Sequence, residues 1–238
     1  MKKIVFACLL TIFLSQDIAA QKVTVESLKK SELSNYKKVV SQSLIYRDAQ
    51  TAINGMHLII ALEGKNSVYK DSLAIVYYQS KNYLSGHLLA KELLIRKPND
   101  IKLLEINAIC LHQLSATKEA IGAYEKLFSK TNNMMHGYQL AYLQYYGIKR
   151  LAEARETITK TLISKEQKDL TIPFPVDKTK SQNVPLKAAV YNLQGNIAFD
   201  LKENINALNA FTEALKIMPE FVIAKQNNDA ILSLQEGK

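Results

Sequence analysis

The sequence has 238 residues, of which 22% are charged, and its formal net charge is +9. The positive charges are spread along the chain in runs of at most two residues, which argues against a nucleic-acid-binding stretch and for solvated helix faces. Two cysteines are too few for a framework of disulfide bonds, so a hydrophobic core must stabilise the fold.

The first twenty residues have the layout of a secretory signal peptide. Two lysines follow Met1, Ile4–Leu14 is apolar at all but one position, and Ser15–Ala20 is more polar and ends in small residues. The apolar run is too short to span a bilayer. We therefore expect residues 1–20 to be removed after Ala20, no transmembrane segment in the mature chain, and a periplasmic or secreted location.

The two cysteines have separate interpretations. Cys8 ends a stretch, Val5–Cys8, that loosely resembles a lipidation signal, but most of the apolar run follows Cys8. We therefore expect cleavage after Ala20 rather than lipidation. Cys110 is then the one cysteine of the mature chain and forms no internal disulfide. It lies in an apolar stretch, which favours a small buried hydrophobe over a reactive or pairing thiol.

A 34-residue period organises most of the chain. Small residues recur at Ala52, Gly86, Ala120 and Ala154, and each opens a run of apolar residues with helical spacing. The next comparable position, Ala207, comes 53 residues after Ala154, so about 19 residues are inserted between them. A period of this length predicts stacked units that bury their apolar faces against one another.

Each unit is predicted to be two antiparallel amphipathic helices joined by a polar turn. In the second unit, Ser67–Gln79 and Tyr83–Ile95 have apolar residues at helical spacing, and Ser80–Asn82 interrupts them. Pro98 ends the second helix because it lacks an amide hydrogen, and Asp100 can cap the next helix. The small residues let the two helices approach closely.

The pattern within the units resembles the tetratricopeptide repeat, which favours small, aromatic and proline residues at fixed positions. The last unit matches at Tyr191, Gly195, Phe199, Ala207, Phe211, Ala214 and Pro219. The second unit matches at Ala74, Tyr77, Tyr78, Tyr83, Gly86 and Pro98, and the third matches at Ala108, Ala120 and Tyr124. The first and fourth units have Val40 and Tyr142 where the family has a small residue, so we expect looser helix crossings there.

The resemblance covers about residues 33–221 and implies an all-α fold. This fold is a right-handed superhelical solenoid of helix-turn-helix repeats with a C-terminal capping helix, whose polar side faces solvent. We expect one repeat domain over 21–238, with units at about 33–66, 67–100, 101–134, 135–163 and 188–221, an insertion at 164–187 and the capping helix at 222–235.

The predicted insertion contains Pro173, Pro175 and Pro185, three of the five prolines in the chain. They exclude a continuous helix and favour an extended conformation around 171–176. Two interpretations stay open. The insertion is either a loop that carries a binding determinant or a tolerated spacer between the fourth and fifth units.

The sequence contains none of the spacings that mark common catalytic or metal sites. The four histidines, His57, His87, His112 and His136, form no HxxxH or HExxH pair, and no CxxC occurs. The eight glycines are scattered, without a phosphate-binding loop or a GxSxG turn. We therefore expect neither an enzyme nor a cofactor or metal.

The resemblance implies that a ligand lies in a concave groove formed by the first helix of each unit. The expected partner-binding residues are Ile75, Tyr78, Gln79, Ile109, His112, Gln113, Gln139, Leu143, Tyr146, Asn196 and Phe199. Family members that bind a peptide C-terminus use asparagines where this chain has Ile75, Ile109 and Leu143. We therefore do not expect this chain to bind a C-terminal carboxylate. Exposed apolar rows usually mark contact sites, whereas packing between helices is enough to explain Tyr78 and Tyr146.

Together with the signal-peptide layout, the resemblance implies a non-catalytic adaptor or scaffold of the bacterial cell envelope. It would bind another envelope protein or a peptide segment in the groove, and no nucleic acid. The alternative is a ligand-binding accessory protein for glycan or peptide uptake, with the insertion as part of its site. An enzyme acting on an envelope substrate is the third hypothesis. The sequence carries no signal for the oligomeric state.

Overall fold

The computed structural model describes the backbone of residues 2–236 and the side chains of residues 24–234. The predicted signal peptide, residues 1–20, lies outside the described side chains. The chain divides into two compact units, the first ending at Leu89 and the second beginning at Ala90. Within the described part of the chain, no helix combines the length and the apolar composition needed to cross a membrane.

Most of the described residues lie in α-helices. These are α1 (Lys2–Ile45), α2 (Ala49–Glu63), α3 (Tyr69–Gln79), α4 (Tyr83–Arg96), α5 (Ile101–Gln113), α6 (Thr117–Thr131), α7 (Met134–Tyr142), α8 (Leu151–Leu162), α9 (Leu186–Asp200), α10 (Asn204–Ile217) and α11 (Val222–Glu236). A π-helical segment, Leu143–Gly147, continues α7. Two strands, β1 (Thr171–Pro175) and β2 (Ser181–Pro185), lie between α8 and α9 in the chain.

The turns inside the repeats share one backbone geometry. Each contains a residue with φ between 55° and 66°, namely Arg47, Lys81, Ser115, Lys149 and Lys202. Their spacing is that of the small residues of the period, three steps of 34 and one of 53. In four of these turns the next amide bonds to a carbonyl five residues earlier, as Ala116 N does to Leu111 O at 3.0 Å. This bond closes the first helix of the repeat, and the predicted all-α repeat architecture is confirmed.

Polar side chains begin several helices. Asp100 Oδ1 accepts a hydrogen bond from Leu103 N at 3.1 Å, as the sequence predicts, and Asp48 caps α2 in the same way. Asn133 Oδ1 caps α7 by accepting from Met135 N at 2.9 Å. These caps satisfy amides that have no partner within the helix.

The core of the first unit joins α1, α2 and α3. Val40, Met56 and Leu73 are at most 3% exposed. A Cβ on Gly55 of α2 would lie only 2.7 Å from Val40 Cγ2. The expected looser crossing at Val40 is therefore not found, because the glycine on the partner helix supplies the space that a small residue would have left.

The fourth repeat, in the second unit, contains one extra residue. Ala141 rather than Tyr142 occupies the small position, since Ala141 is fully buried and Tyr142 is 38% exposed. The π-helical segment absorbs the extra residue, and Arg150 N consequently bonds to Gln144 O, six residues back instead of five. The prediction that Tyr142 stands at the small position is wrong.

The insertion folds into a two-stranded antiparallel hairpin. Strands β1 and β2 pair along their whole length, which agrees with the extended conformation expected from the prolines. In the turn, Asp177 Oδ1 accepts hydrogen bonds from the amides of Thr179 and Lys180 at 2.7 and 2.8 Å. A side chain that bonds its own turn in this way pre-forms the connection between the strands.

The hairpin packs against the last repeat. The ring of Phe174 meets the buried ring of Phe221 edge-on, with centroids 4.9 Å apart. Gln182 Nε2 donates to Glu220 O at 3.0 Å, and Gln182 Oε1 accepts from Val222 N at 2.8 Å at the start of α11. The hairpin therefore covers part of the core and caps a helix.

Candidate functional site

Three predicted site residues, Ile75, Tyr78 and Gln79, lie on α3 in the first unit. Ile75 and Tyr78 are half-buried, and Gln79 is exposed. Gln79 borders a hollow of about 340 Å³ together with Leu44 of α1 and Arg47 of the turn after it. The other eight predicted residues belong to the second unit.

A cleft of about 270 Å³ between α5 and α7 brings four predicted residues together. Ile109, His112 and Gln113 line it from α5, and Gln139 lines it from α7. Ile109, His112 and Gln139 are half-buried, and Gln113 is exposed. The cleft thus combines an apolar wall with two carboxamides that can bond to the backbone of a bound segment.

Two residues that the sequence analysis did not select, Glu105 and His136, also line this cleft. Glu105 Oε1 lies 3.6 Å from His136 Nε2, and His136 Nδ1 lies 2.8 Å from Thr131 Oγ1. The imidazole lowers the pKa of Glu105, so the cleft contains a carboxylate at neutral pH. Glu105 is the fifth residue of its unit, and this position contacts ligands in the resembled family. The repeat pattern could therefore have indicated Glu105. No sequence pattern indicates His136.

His112 makes the stability of the second unit depend on pH. Burial lowers the pKa of His112 below its ordinary value of 6.5, so the unfolded chain binds a proton at a higher pH than the folded chain. The free energy of unfolding is expected to decrease as the pH falls below about 6.5, and to decrease less in His112→Gln. Urea titrations at several pH values measure both slopes. The other three histidines are common to both proteins, and equal slopes would contradict the assignment.

A row of tyrosine rings follows on α7 and the π-helical segment. Ring centroids are 6.2 Å apart for Tyr138 and Tyr142, 4.7 Å for Tyr142 and Tyr146, and 4.4 Å for Tyr145 and Tyr146. Tyr138 and Tyr145 are buried, whereas Tyr142 and Tyr146 are 38% and 45% exposed. The two exposed rings therefore offer aromatic surface to a ligand, and the buried rings hold them in place.

Hydrogen bonds connect the tyrosine row to α9 and α11. Asn196 Nδ2 donates to Tyr146 Oη at 3.0 Å, and Asn227 Nδ2 donates to Asn196 Oδ1 at 3.0 Å. Tyr145 Oη donates to Asp200 Oδ2 at 2.8 Å, and burial together with this bond raises the pKa of Tyr145. The predicted residues Tyr146 and Asn196 are thus brought together. The side-chain amide of Asn196 already bonds within the protein.

The two remaining predicted residues are turned toward the core. Leu143 is only 4% exposed and belongs to the cluster that contains Leu104 and Leu140. Phe199 is half-buried and packs against the cluster of Phe211. The structure corrects the prediction for Leu143, because the extra residue of the fourth repeat brings Tyr142 to the exposed position in its place.

Cys110 is fully buried, and burial raises the pKa of its thiol to about 11. A thiol that is protonated and shielded from solvent is unreactive, so its interpretation as a small buried hydrophobe is confirmed. Among the described side chains, no group of three or more histidine, cysteine, aspartate or glutamate residues is arranged to hold a metal ion.

No protein-family model and no curated protein matches the sequence. Solved structures do share its fold. MamA, residue 41 to the end, from Desulfovibrio magneticus RS-1 has a TM-score of 0.59 at 14% identity, covering 80% of this chain and 97% of that one. Another MamA structure has a TM-score of 0.61 at 14% identity and covers 79% of this chain and 93% of its own.

YrrB, described as a TPR protein with an unusual peptide-binding site, has a TM-score of 0.61 at 12% identity. The match covers 82% of this chain and 90% of YrrB. At these identities the likeness is one of fold.

Proposed function

We propose that this chain, which has the tetratricopeptide-repeat fold of MamA and YrrB, is a non-catalytic adaptor that binds an extended segment of a partner protein. The observation that carries the proposal is one helix, α7, with the cleft on one side and the exposed tyrosine row along it. The peptide-binding site named for YrrB supports it. The signal-peptide layout of residues 1–20 supports a place in the bacterial cell envelope, periplasmic or secreted.

The lining of the cleft favours an apolar side chain on a polar backbone. Ile109 supplies apolar contact, and the carboxamides of Gln113 and Gln139 can each bond to a backbone amide or carbonyl of the segment. Neighbouring side chains of the segment would pack on Tyr142 and Tyr146. A few such anchors provide most of the affinity of an interface.

The titratable groups of the site have structural partners, which supports binding rather than catalysis. Glu105 faces His136, and His136 also contacts Thr131. Tyr145 bonds to Asp200, and Cys110 is sealed in the core. We therefore assign these groups to the shape and charge of the site.

Partner capture from the envelope of the source organism tests the adaptor. The bait is the chain from Gln21, beside Ile109→Asp, which places a charge on the apolar wall of the cleft. The matched control is Ile205→Asp, since Ile205 of α10 is 72% exposed and lies outside the cleft. We expect Ile109→Asp to recover at least about tenfold less partner, the equivalent of losing one interface anchor.

Circular dichroism checks that both variants keep the helicity of the wild type, as we expect for exposed and half-buried positions. A partner recovered equally by all three proteins would contradict the cleft as its binding site. A partner lost with both variants would point to general damage rather than to the cleft.

A ligand-binding accessory protein for glycan or peptide uptake is the second candidate. Tyr142 and Tyr146 favour it, because exposed aromatic rings beside the amide of Asn196 can pack against a sugar ring. The site would be the tyrosine row, since Phe174 and Gln182 of the insertion are engaged in packing. Thermal shifts with envelope glycans and peptides test it: a ligand raises the melting temperature of the wild type and not that of Tyr142→Ala.

A further inference from the structure

A second groove lies between α6 and α8, on residues that take no part in the cleft. Its volume is about 600 Å³. Phe128 of α6 and Leu140 of α7 give it an apolar wall, and Ile163, which is 84% exposed, stands at its edge. The groove is therefore larger than the cleft and has apolar surface open to solvent.

Gln144 of the π-helical segment lines this groove and has an unsatisfied polar atom. The residue is 3% exposed, and its Oε1 accepts no hydrogen bond from any described group. Buried polar atoms nearly always have a partner, and this oxygen, one of four such atoms among the described side chains, is sealed from solvent. A donor of a bound segment reaches it once the carboxamide turns into the groove, and satisfying the oxygen favours that turn. The extra residue of the fourth repeat is what places this carboxamide here.

Carboxylates surround the same groove. Glu125, Glu153 and Glu156 line it together with one cation, Lys160. Lys160 Nζ lies 2.6 Å from Glu156 Oε1, in a pair exposed on both sides. Such a pair exchanges easily with another cation. Glu153 has a similar partner, since Arg150 Nη1 lies 3.2 Å from Glu153 Oε2 and both side chains are about half exposed.

We propose that the groove binds a lysine-bearing segment of a partner protein. The Gln144 carboxamide turns into the groove, its Oε1 accepts a hydrogen bond from the ammonium group of the lysine, and the surrounding carboxylates offset the positive charge. Apolar side chains next to the lysine pack against Phe128 and Ile163. Charge complementarity selects this occupant, since a cation can both donate to Gln144 Oε1 and replace Lys160 or Arg150 beside the carboxylates. The groove and the cleft share no lining residue, so binding in the groove does not depend on binding in the cleft.

The proposal is tested by titrating a model peptide into the protein. The protein is expressed from the full-length sequence, and any removal of residues 1–20 is left to the expressing cell. The probe is acetyl-Ala-Leu-Lys-Leu-Ala-amide, and its matched control has norleucine in place of lysine. Amide correlation spectra are recorded during titration at low salt. We expect the lysine peptide to shift amides of α6, the π-helical segment and α8, and to bind at least about tenfold tighter than the norleucine peptide.

Surface variants separate the charge from the apolar contact. Glu153→Gln combined with Glu156→Gln is expected to weaken the lysine peptide by about tenfold, and Glu119→Gln, an exposed change on α6 outside the groove, is expected to leave it unchanged. Lys160→Gln is expected to tighten binding by removing the competing cation. Equal binding of the two peptides, or no shifts in these segments at millimolar peptide, would overturn the proposal.

Discussion

Replacing Phe221 with alanine is expected to lower the free energy of unfolding of the second unit by about 3–5 kcal/mol. Phe221 is fully buried between α10 and α11, and its ring contacts the ring of Phe174 from the hairpin. The substitution removes this ring from the core and leaves a cavity that the surrounding helices can fill only in part. Chemical denaturation followed by circular dichroism measures the change.

A double-mutant cycle with Phe174→Ala then tests whether the hairpin is part of the core. Edge-on aromatic pairs contribute about 0.5–1.5 kcal/mol beyond the area that they bury, so the two substitutions together should cost less than the sum of their separate effects. Purely additive effects would mean that the hairpin is a spacer that only rests on the last repeat. The control is Thr179→Ala in the hairpin turn, which is far from the core and should show no coupling to Phe221.

The repeat could be predicted because its signal is local and recurs. Small residues such as Ala120 and Ala154 mark the second helix of each unit, and the turns that precede these helices keep the same spacing. Counting from one anchor to the next cannot reveal an extra residue between them. The first helix of the fourth unit was therefore misread by one position, which exchanged Tyr142 with Ala141 at the small position and put Leu143 at the exposed position.

The hairpin and the compensation in the first unit depend on contacts between distant residues. Three prolines excluded a helix in the insertion, but nothing near Phe174 in the sequence indicates that it packs on Phe221. In the same way, Val40 signals a loose crossing until Gly55 is seen on the facing helix. Such pairs form only after the helices have been placed.

The candidate site was predicted best where the repeat stays in register. Ile109, His112 and Gln113 lie on α5 as expected and share one cleft. His136 was missed because its pairing with Glu105 joins two helices, and single-helix periodicity contains no information on it. Glu105 itself stands at a ligand-contacting position of the resembled repeat and could have been predicted. The polar network of the tyrosine row could not be foreseen for the same reason.

Deleting Gln144 is expected to leave the second unit folded and to raise its free energy of unfolding, by at most about 1–3 kcal/mol. The deletion removes the extra residue, so Arg150 N can bond to the carbonyl five residues before it, as in the other repeats. It also removes a buried carboxamide whose Oε1 has no partner. Leu143 keeps its apolar cluster, and Tyr145 keeps its bond to Asp200.

Deleting Leu143 instead is the matched control, because it also shortens the segment by one residue. It removes a leucine that is 4% exposed and draws the Gln144 carboxamide toward the apolar cluster in its place, at a cost of about 2–5 kcal/mol. Denaturation curves of the two deletions therefore have opposite displacements from the wild type. If both deletions destabilise equally, the π-helical segment is required by the fold itself. If only the Leu143 deletion does so, the segment is retained for what Gln144 binds.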